Sequence, residues 1–280
     1  MKHAILILAH DNVQHLNDIV RWFDDDFDIY IHIDKKSNID HSQLPCNTNL
    51  HIYKKYYIHW GGINIIKATL FLLRKASSLY SYNYYHLISG SDIPTKDINC
   101  FKSFFLNSTH SFVDYFPLPY KNWIGNGGMD RITKFWFFNN LTDIRKHHFL
   151  SDLSQKIQRK LSVNRSFNSF KTLYGGSQWW SVTDLAVKAT LDYLDSHPDY
   201  FRRFRYTHIP DEIFFQTLFC NLNLPIQNSS LRYIAWEESS ASPKSLTLDD
   251  VDKIMATTCF FARKYQEGIS DLLKESLMSK

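Results

Sequence analysis

Three short runs in the C-terminal part of the chain place polar or ionisable side chains among aromatic rings: YGGSQWWSVT (Tyr174 to Thr183), PDEIFFQTLF (Pro210 to Phe219) and FFARKY (Phe260 to Tyr265). Gln178 stands beside Trp179 and Trp180. Asp211 and Glu212 precede Ile213-Phe214-Phe215, and Arg263 and Lys264 lie between Phe261 and Tyr265. Burying a charge without a partner is costly, so ionisable groups held in apolar surroundings are candidates for a working site. The three runs offer a base, a stacking platform and a cationic clamp. That set suits transfer of a group from a diphosphate carrier to a hydroxyl. A carboxylate takes the proton and fixed cations meet the charge that develops on the leaving diphosphate.

The elements that must position these groups read as alternating strands and helices. Ala4 to Ala9 is a continuous apolar run, the pattern of a strand covered on both faces. Val13, Leu16, Ile19, Val20 and Phe23 recur at helical spacing. Strands are predicted at Ile29 to Ile33, Leu50 to Tyr53 and Tyr84 to Ile88, and a helix from Ile63 to about Ser78. Such alternation predicts an α/β fold with a mostly parallel sheet, whose ligands bind beyond the carboxyl ends of the strands. Three polar clusters fall there: His10-Asp11-Asn12, Asp34-Lys35-Lys36 and Ser89-Gly90-Ser91-Asp92. From about Phe112 to Phe170 the pattern is less regular. It contains a turn at Asn126-Gly127-Gly128, an aromatic and basic stretch from Arg131 to Phe138, and a basic, solvated helix from Asp143 to Ser162. Further helices are predicted from Thr183 to Ser196, from Pro210, where proline and acids suit a first turn, and from Leu246 to Ala256, with Ser245 or Thr247 opening a capping box.

With 280 residues the chain suffices for one large domain. No linker is evident, so a single domain over 1–280 is expected, with 1–110 as a nucleotide-binding half and 111–280 as an acceptor and catalytic half. The composition, 44% hydrophobic and 21% charged, excludes a disordered chain. A net charge of +4 excludes a strongly basic nucleic-acid binder. Cys46, Cys100, Cys220 and Cys259 lie far apart, which fits neither a zinc site nor a disulfide framework and suits a reducing compartment. The apolar N-terminal run is too short to span a membrane and no cleavage site follows it. The expected location is cytoplasmic, at most at the inner face of the membrane.

Each candidate has a plainer structural role. Glu212 could stabilise a helix dipole, and Asp211 is expected to cap that helix. Arg263 and Lys264 could be a solvated pair, although Phe260, Phe261 and Tyr265 surround them. Adjacent residues on a strand point to opposite faces, so Trp180 is expected in the core and Trp179 at the cleft. Asp92 and Asp34 could bind ligand or close their turns. No metal is expected, since the only DxD strings, Asp24-Asp25-Asp26, Asp26-Phe27-Asp28 and Asp250-Val251-Asp252, precede a strand or lie in a helix. The histidines show no metal-ligand spacing.

In their order along the chain, several segments resemble the core-2/I-branching N-acetylglucosaminyltransferase family (glycosyltransferase family 14), which includes the peptide O-xylosyltransferases. They are Ala9-His10 with Ile31-His32-Ile33-Asp34-Lys35-Lys36, Trp60-Gly61-Gly62, Leu87 to Pro94, Gly176-Ser177-Gln178-Trp179-Trp180, Pro210-Asp211-Glu212, Leu231 to Ile234, and Phe261-Ala262-Arg263-Lys264. The resemblance implies a GT-A fold, a UDP-sugar donor, inversion at the anomeric carbon and no metal cofactor. It makes Glu212 the catalytic base. Arg263, Lys264 and Lys244 become the diphosphate-binding cations and Trp179 an active-site aromatic. His10 and Asp34 are assigned to the donor nucleotide, and Asp92, Gln178 and Asp211 to sugar or acceptor. Gln178 departs from the Gly-Ser-Asp-Trp of the xylosyltransferases, which leaves GlcNAc and xylose both open as donor sugar. The anchor, stem and many cysteines of the Golgi members are missing, as in a bacterial relative. A glycan or lipid-linked oligosaccharide is the expected acceptor, with peripheral membrane association. The alternative is a non-catalytic carbohydrate-binding protein of the same fold. A serine hydrolase is remote, because neither Ser91 nor Ser177 sits in a G-x-S-x-G elbow.

Overall fold

The structure, a computed structural model, describes residues 1–46, 48–143, 148–237 and 242–278. Strands in chain order are β1 (His3–Ala9), β2 (Phe27–Ile33), β3 (Leu50–Tyr53), β4 (Tyr84–Ser89), β5 (Ile93–Pro94), β6 (Ser111–Val113), β7 (Phe116–Pro117), β8 (Tyr174–Gly175), β9 (Trp180–Thr183), β10 (Ile226–Asn228), β11 (Arg232–Ile234) and β12 (Phe261–Arg263). Helices are α1 (Val13–Trp22), α2 (Asn64–Leu79), α3 (Ile98–Leu106), α4 (Asp130–Thr133), α5 (His148–Lys160), α6 (Asp184–Ser196), α7 (Pro198–Arg203), α8 (Phe214–Asn221), α9 (Val251–Met255) and α10 (Asp271–Met278).

Seven strands form one sheet in the order β10-β6-β9-β4-β1-β2-β3. β1 to β4 run parallel, as do β6 and β10, and only β9 runs against its neighbours β4 and β6. This is the mostly parallel α/β sheet expected from the alternating strands and helices. Every residue of β2 and β4 is buried, as strands covered on both faces require. Alternation along β1 splits the core in two. Ala4 and Leu6 pack with α2, α6 and α8, while Ile5, Ile7 and Ala9 pack with α1 and α3. Strands from both sides of residue 110 share this sheet. The cysteines are free.

Three local expectations change. The run at Pro210 does not open a continuous helix: Pro210–Glu212 is a single 3-10 turn, Ile213 breaks it with φ −129°, and α8 begins at Phe214. Asp211 makes no capping hydrogen bond there, because the turn following the left-handed Ile209 buries it instead. The helix expected over Asp143 to Ser162 is observed as His148–Lys160, and residues 144–147 lie outside the described residues. Its buried face is polar, contrary to the expectation of a merely solvated helix. The capping box is Thr247 with Asp250.

A smaller sheet, β11-β12-β5, lies at the carboxyl end of β4. Its anchor is Arg232, buried and bonded to the carbonyls of Leu87 (3.0 Å), Trp180 (2.9 Å) and Ser230 and to the Ser181 hydroxyl (2.8 Å). One guanidinium thereby ties β4, β9 and β11 together. Burial draws its pKa down to about 10. Arg232→Met would keep the volume and leave these acceptors without a donor, so about 3 kcal/mol or more of stability should be lost. Denaturant titration reads this directly, and an unchanged midpoint would contradict the anchoring role.

Candidate active site

The carboxyl ends of the central strands carry the predicted polar clusters. After β4, Gly90 donates to the Leu8 carbonyl at 2.9 Å, and a Cβ added there would sit 3.0 Å from that of Ala9. This close approach turns the chain so that Asp92 points inward, with Oδ2 accepting from the Ser89 amide at 3.1 Å. Asp92 is wholly buried and faces the Arg263 guanidinium at 3.6 Å, beyond hydrogen-bond range; Asp92 Oδ1 and Arg263 Nε have no hydrogen-bond partner among the described residues. Burial raises the Asp92 pKa against the pull of Arg263, and lowers that of Arg263 against the pull of Asp92. The same guanidinium lies 4.3 Å from the Trp179 ring. Trp179, Asp92 and Arg263 thus form one cluster. Trp180 is in the core as expected, but Trp179, expected at the cleft, is buried with it, because β9 begins only at Trp180 and strand alternation does not reach Trp179.

The other predicted cations part company. Lys244 gives its ammonium to the Asp250 carboxylate at 3.1 and 3.2 Å. Lys264 stands beside it, its amide donating to the Lys244 carbonyl at 3.3 Å. The half-buried Lys264 side chain has no bonding partner among the described residues. His10 is exposed at the end of β1, 3.3 Å from the Asp11 carboxylate. Asp34 ends β2 and accepts from the amides of Lys36 (3.0 Å) and Ile58 (3.2 Å), which ties the chain after β3 to the strand end.

A second cluster surrounds Glu212. Its carboxylate pairs with Arg131 at 2.6 Å, and the Arg131 guanidinium lies 3.8 Å from the Trp123 ring. Phe116 meets Trp123 edge-on and stacks on Tyr120. Glu212 is deep in the protein, yet 33% of its side chain is open to solvent. Burial raises its pKa, Arg131 opposes the rise, and the Asp114 charge adds to it. Asp211, more fully enclosed, is pushed up to about 7 by burial and by Glu212.

Backbone contacts hold this loop. The Gly61 carbonyl accepts from the Ile209 amide at 3.1 Å and from Asn139 at 2.9 Å, and the Glu212 carbonyl accepts from the Gly176 amide at 3.0 Å. A Cβ at Gly176 would fall 1.9 Å from the Asp114 carbonyl oxygen. Asp114 in turn accepts from the Ser177 amide at 2.8 Å, and Gln216 donates to the Ser177 carbonyl at 2.5 Å. The segment 174–180 therefore touches the Glu212 loop at one end and carries Trp179 to Arg263 at the other. Gln178 lies between them, half-buried and with no hydrogen bond among the described residues.

The sequence reading did not single out Arg131, Trp123 or Asp114 as site residues. Arg131 appeared only within an aromatic and basic stretch, and its pairing with Glu212 spans 81 positions. Among the described residues no three His, Cys, Asp or Glu side chains converge as a metal site would require.

The core-2/I-branching enzyme family profile matches residues 4–256. The chain belongs to that family, one of glycosyltransferases. No curated protein matches it in sequence. Among solved structures, the crystal structure of S. aureus TarS is similar at 14% identity with a TM-score of 0.30, over 40% of this chain and 21% of the TarS chain.

The raised pKa of Asp211 has a consequence for stability. Its folded value, about 7, lies above the unfolded value of about 3.9. Between the two the folded state holds more protons, so stability falls as pH rises through that window and the loss is complete above it. Asp211→Asn removes this penalty. Its gain in melting temperature should be larger at pH 8 than at pH 5, and equal gains would show that Asp211 is not held protonated.

Proposed function

We propose that the chain is an inverting, metal-independent glycosyltransferase that moves a sugar, GlcNAc or xylose, from a UDP-sugar to a hydroxyl of a glycan acceptor, with Glu212 as general base. The observation that carries this reading is the Glu212 carboxylate: deep, one-third accessible, raised in pKa by burial and oriented by Arg131. An acceptor oxygen attacks C1, the C1–oxygen bond to the diphosphate breaks with its electron pair leaving on the phosphate oxygen, and the hydroxyl proton passes to Glu212. One base suffices for a single displacement. Trp123, under the Arg131 guanidinium and packed against Phe116 and Tyr120, gives the Arg131–Glu212 pair aromatic surroundings suited to a sugar.

On the donor side, charge on the departing diphosphate is met by fixed cations that need no reorganisation. Lys264, which has no bonding partner among the described residues, is the group assigned to this, while Arg263 is held on Trp179 and opposite Asp92. Lys244, bound to Asp250, shapes the segment beside Lys264. Asp92 then serves to position Arg263. Half-buried Gln178, beside Trp179, is the position for choosing between donor sugars.

Glu212→Gln should lower transfer at least about a hundred-fold with UDP-sugar affinity little changed; near-normal turnover would place the base elsewhere. Lys264→Ala should weaken UDP-sugar binding roughly ten- to a hundred-fold, the range for a charge-assisted contact, and Lys244→Ala much less. Equal losses would return Lys244 to the diphosphate. Activity should persist in excess EDTA, and restoration by Mn²⁺ of activity lost in EDTA would overturn the metal-independent reading.

A further inference from the structure

α5 is built the wrong way round for a helix of a water-facing protein. Ser151, Gln155 and Gln158, spaced along one face, are the residues it buries. Their amides do specific work: Gln155 and Gln158 donate to the Phe135 carbonyl at 3.0 and 2.8 Å, and Gln158 accepts from the Phe135 amide at 2.7 Å. The residues turned outward are Phe149, Leu150, Leu153 and Ile157, with Leu161 just beyond the helix end, exposed by between 45% and 76%. At 3.6 residues per turn these fall on one stripe. Lys156 and Arg159 are exposed along one edge of it and Lys160 at its C-terminal end, with Asp152 as the acid among them. Phe137 and Leu141, on the segment against which the helix packs, are exposed as well.

An apolar stripe edged by basic side chains on an outward helix face is the pattern of an element lying in a lipid interface. We infer that α5 docks this protein on an anionic lipid surface, with Phe149, Leu153 and Ile157 in the acyl boundary and Lys156, Arg159 and Lys160 on headgroup phosphates. Charge favours this occupant over a second copy of the chain. Pairing two such faces would bring like-charged edges together, whereas anionic lipid complements them. The polar anchoring of the inner face to Phe135 means that the helix needs no rearrangement to present its stripe. Arg165, shortly after α5, donates through its amide to the Thr133 carbonyl of α4 at 2.8 Å. The docking element is thereby linked to the helix that carries Arg131. The inference rests on α5 and stands whatever the donor or acceptor.

The test is sedimentation of the full chain with vesicles of phosphatidylcholine alone and of phosphatidylcholine mixed with phosphatidylglycerol, alongside its oligomeric state by light scattering. The protein should bind the anionic vesicles, and added salt should weaken binding. Leu153→Ser/Ile157→Ser should reduce partitioning at least about tenfold, and Lys156→Glu/Lys160→Glu likewise, both variants keeping the far-ultraviolet circular dichroism of the parent. Failure of the parent to sediment with anionic vesicles would overturn the proposal. So would binding that the substitutions leave unchanged, or a dimer that Leu153→Ser/Ile157→Ser dissolves.

Discussion

A carboxylate that must be both buried and reachable needs a backbone that cannot shift around it. In this protein that constraint falls on two glycine contacts. Gly61 receives the Ile209 amide and Gly176 gives its own amide to the Glu212 carbonyl, so the turn holding Glu212 is fixed at both ends. At Gly176 the Asp114 carbonyl is so close that no side chain fits. Gly62 is crowded too, with the Asn139 carbonyl 2.4 Å from where a Cβ would stand. Because the loop is fixed by main chain, Arg131 can be spent on orienting the carboxylate, and Trp123 can lie flat beneath Arg131. The raised pKa of Glu212 follows from the same enclosure.

The basic residues of the family-like segments divide by what already holds them. Arg232 is consumed by main-chain carbonyls and joins the two sheets. Arg263 is held between Asp92 and Trp179, and Lys244 by Asp250. Lys264 has no charge partner among the described residues. A charge already matched within the fold contributes little new attraction to a ligand, and an uncommitted one contributes more. On the proposed reading, donor binding concentrates on Lys264, and its neighbours determine where that ammonium stands.

Much of the fold was legible because its signals are local. The apolar runs gave β1, β2, β3 and β4, and helical spacing gave α1 and α2 within a residue or two. Trp60-Gly61-Gly62 and Gly176 entered the sequence analysis only through the family resemblance, and the close approaches that Gly62 and Gly176 make, to Asn139 and Asp114, appear only in the structure. The pairing of Arg131 with Glu212 and the stacking of Arg263 on Trp179 were not legible, since each joins residues distant in sequence on elements with weak periodicity. Lys244 is a different case: its partner Asp250 is only six residues on, but read as part of a helix cap, and it is both cap and counter-ion. α5 misled for another reason. Its basic residues marked it as a solvated helix, whereas its glutamine side chains bond Phe135 and its apolar face is turned outward.

On the proposed reading Glu212 is the titrating base and Arg131 sets its ionisation. The most direct measurement is the pH dependence of kcat/KM for the parent and for Arg131→Met, which keeps most of the volume and removes the charge. The acid limb of that profile reports the base in the free enzyme. Arg131 opposes the burial that raises the Glu212 pKa, so its removal should move the acid limb to higher pH while the fold is retained. An acid limb that stays in place would show that the group titrating in catalysis is not Glu212.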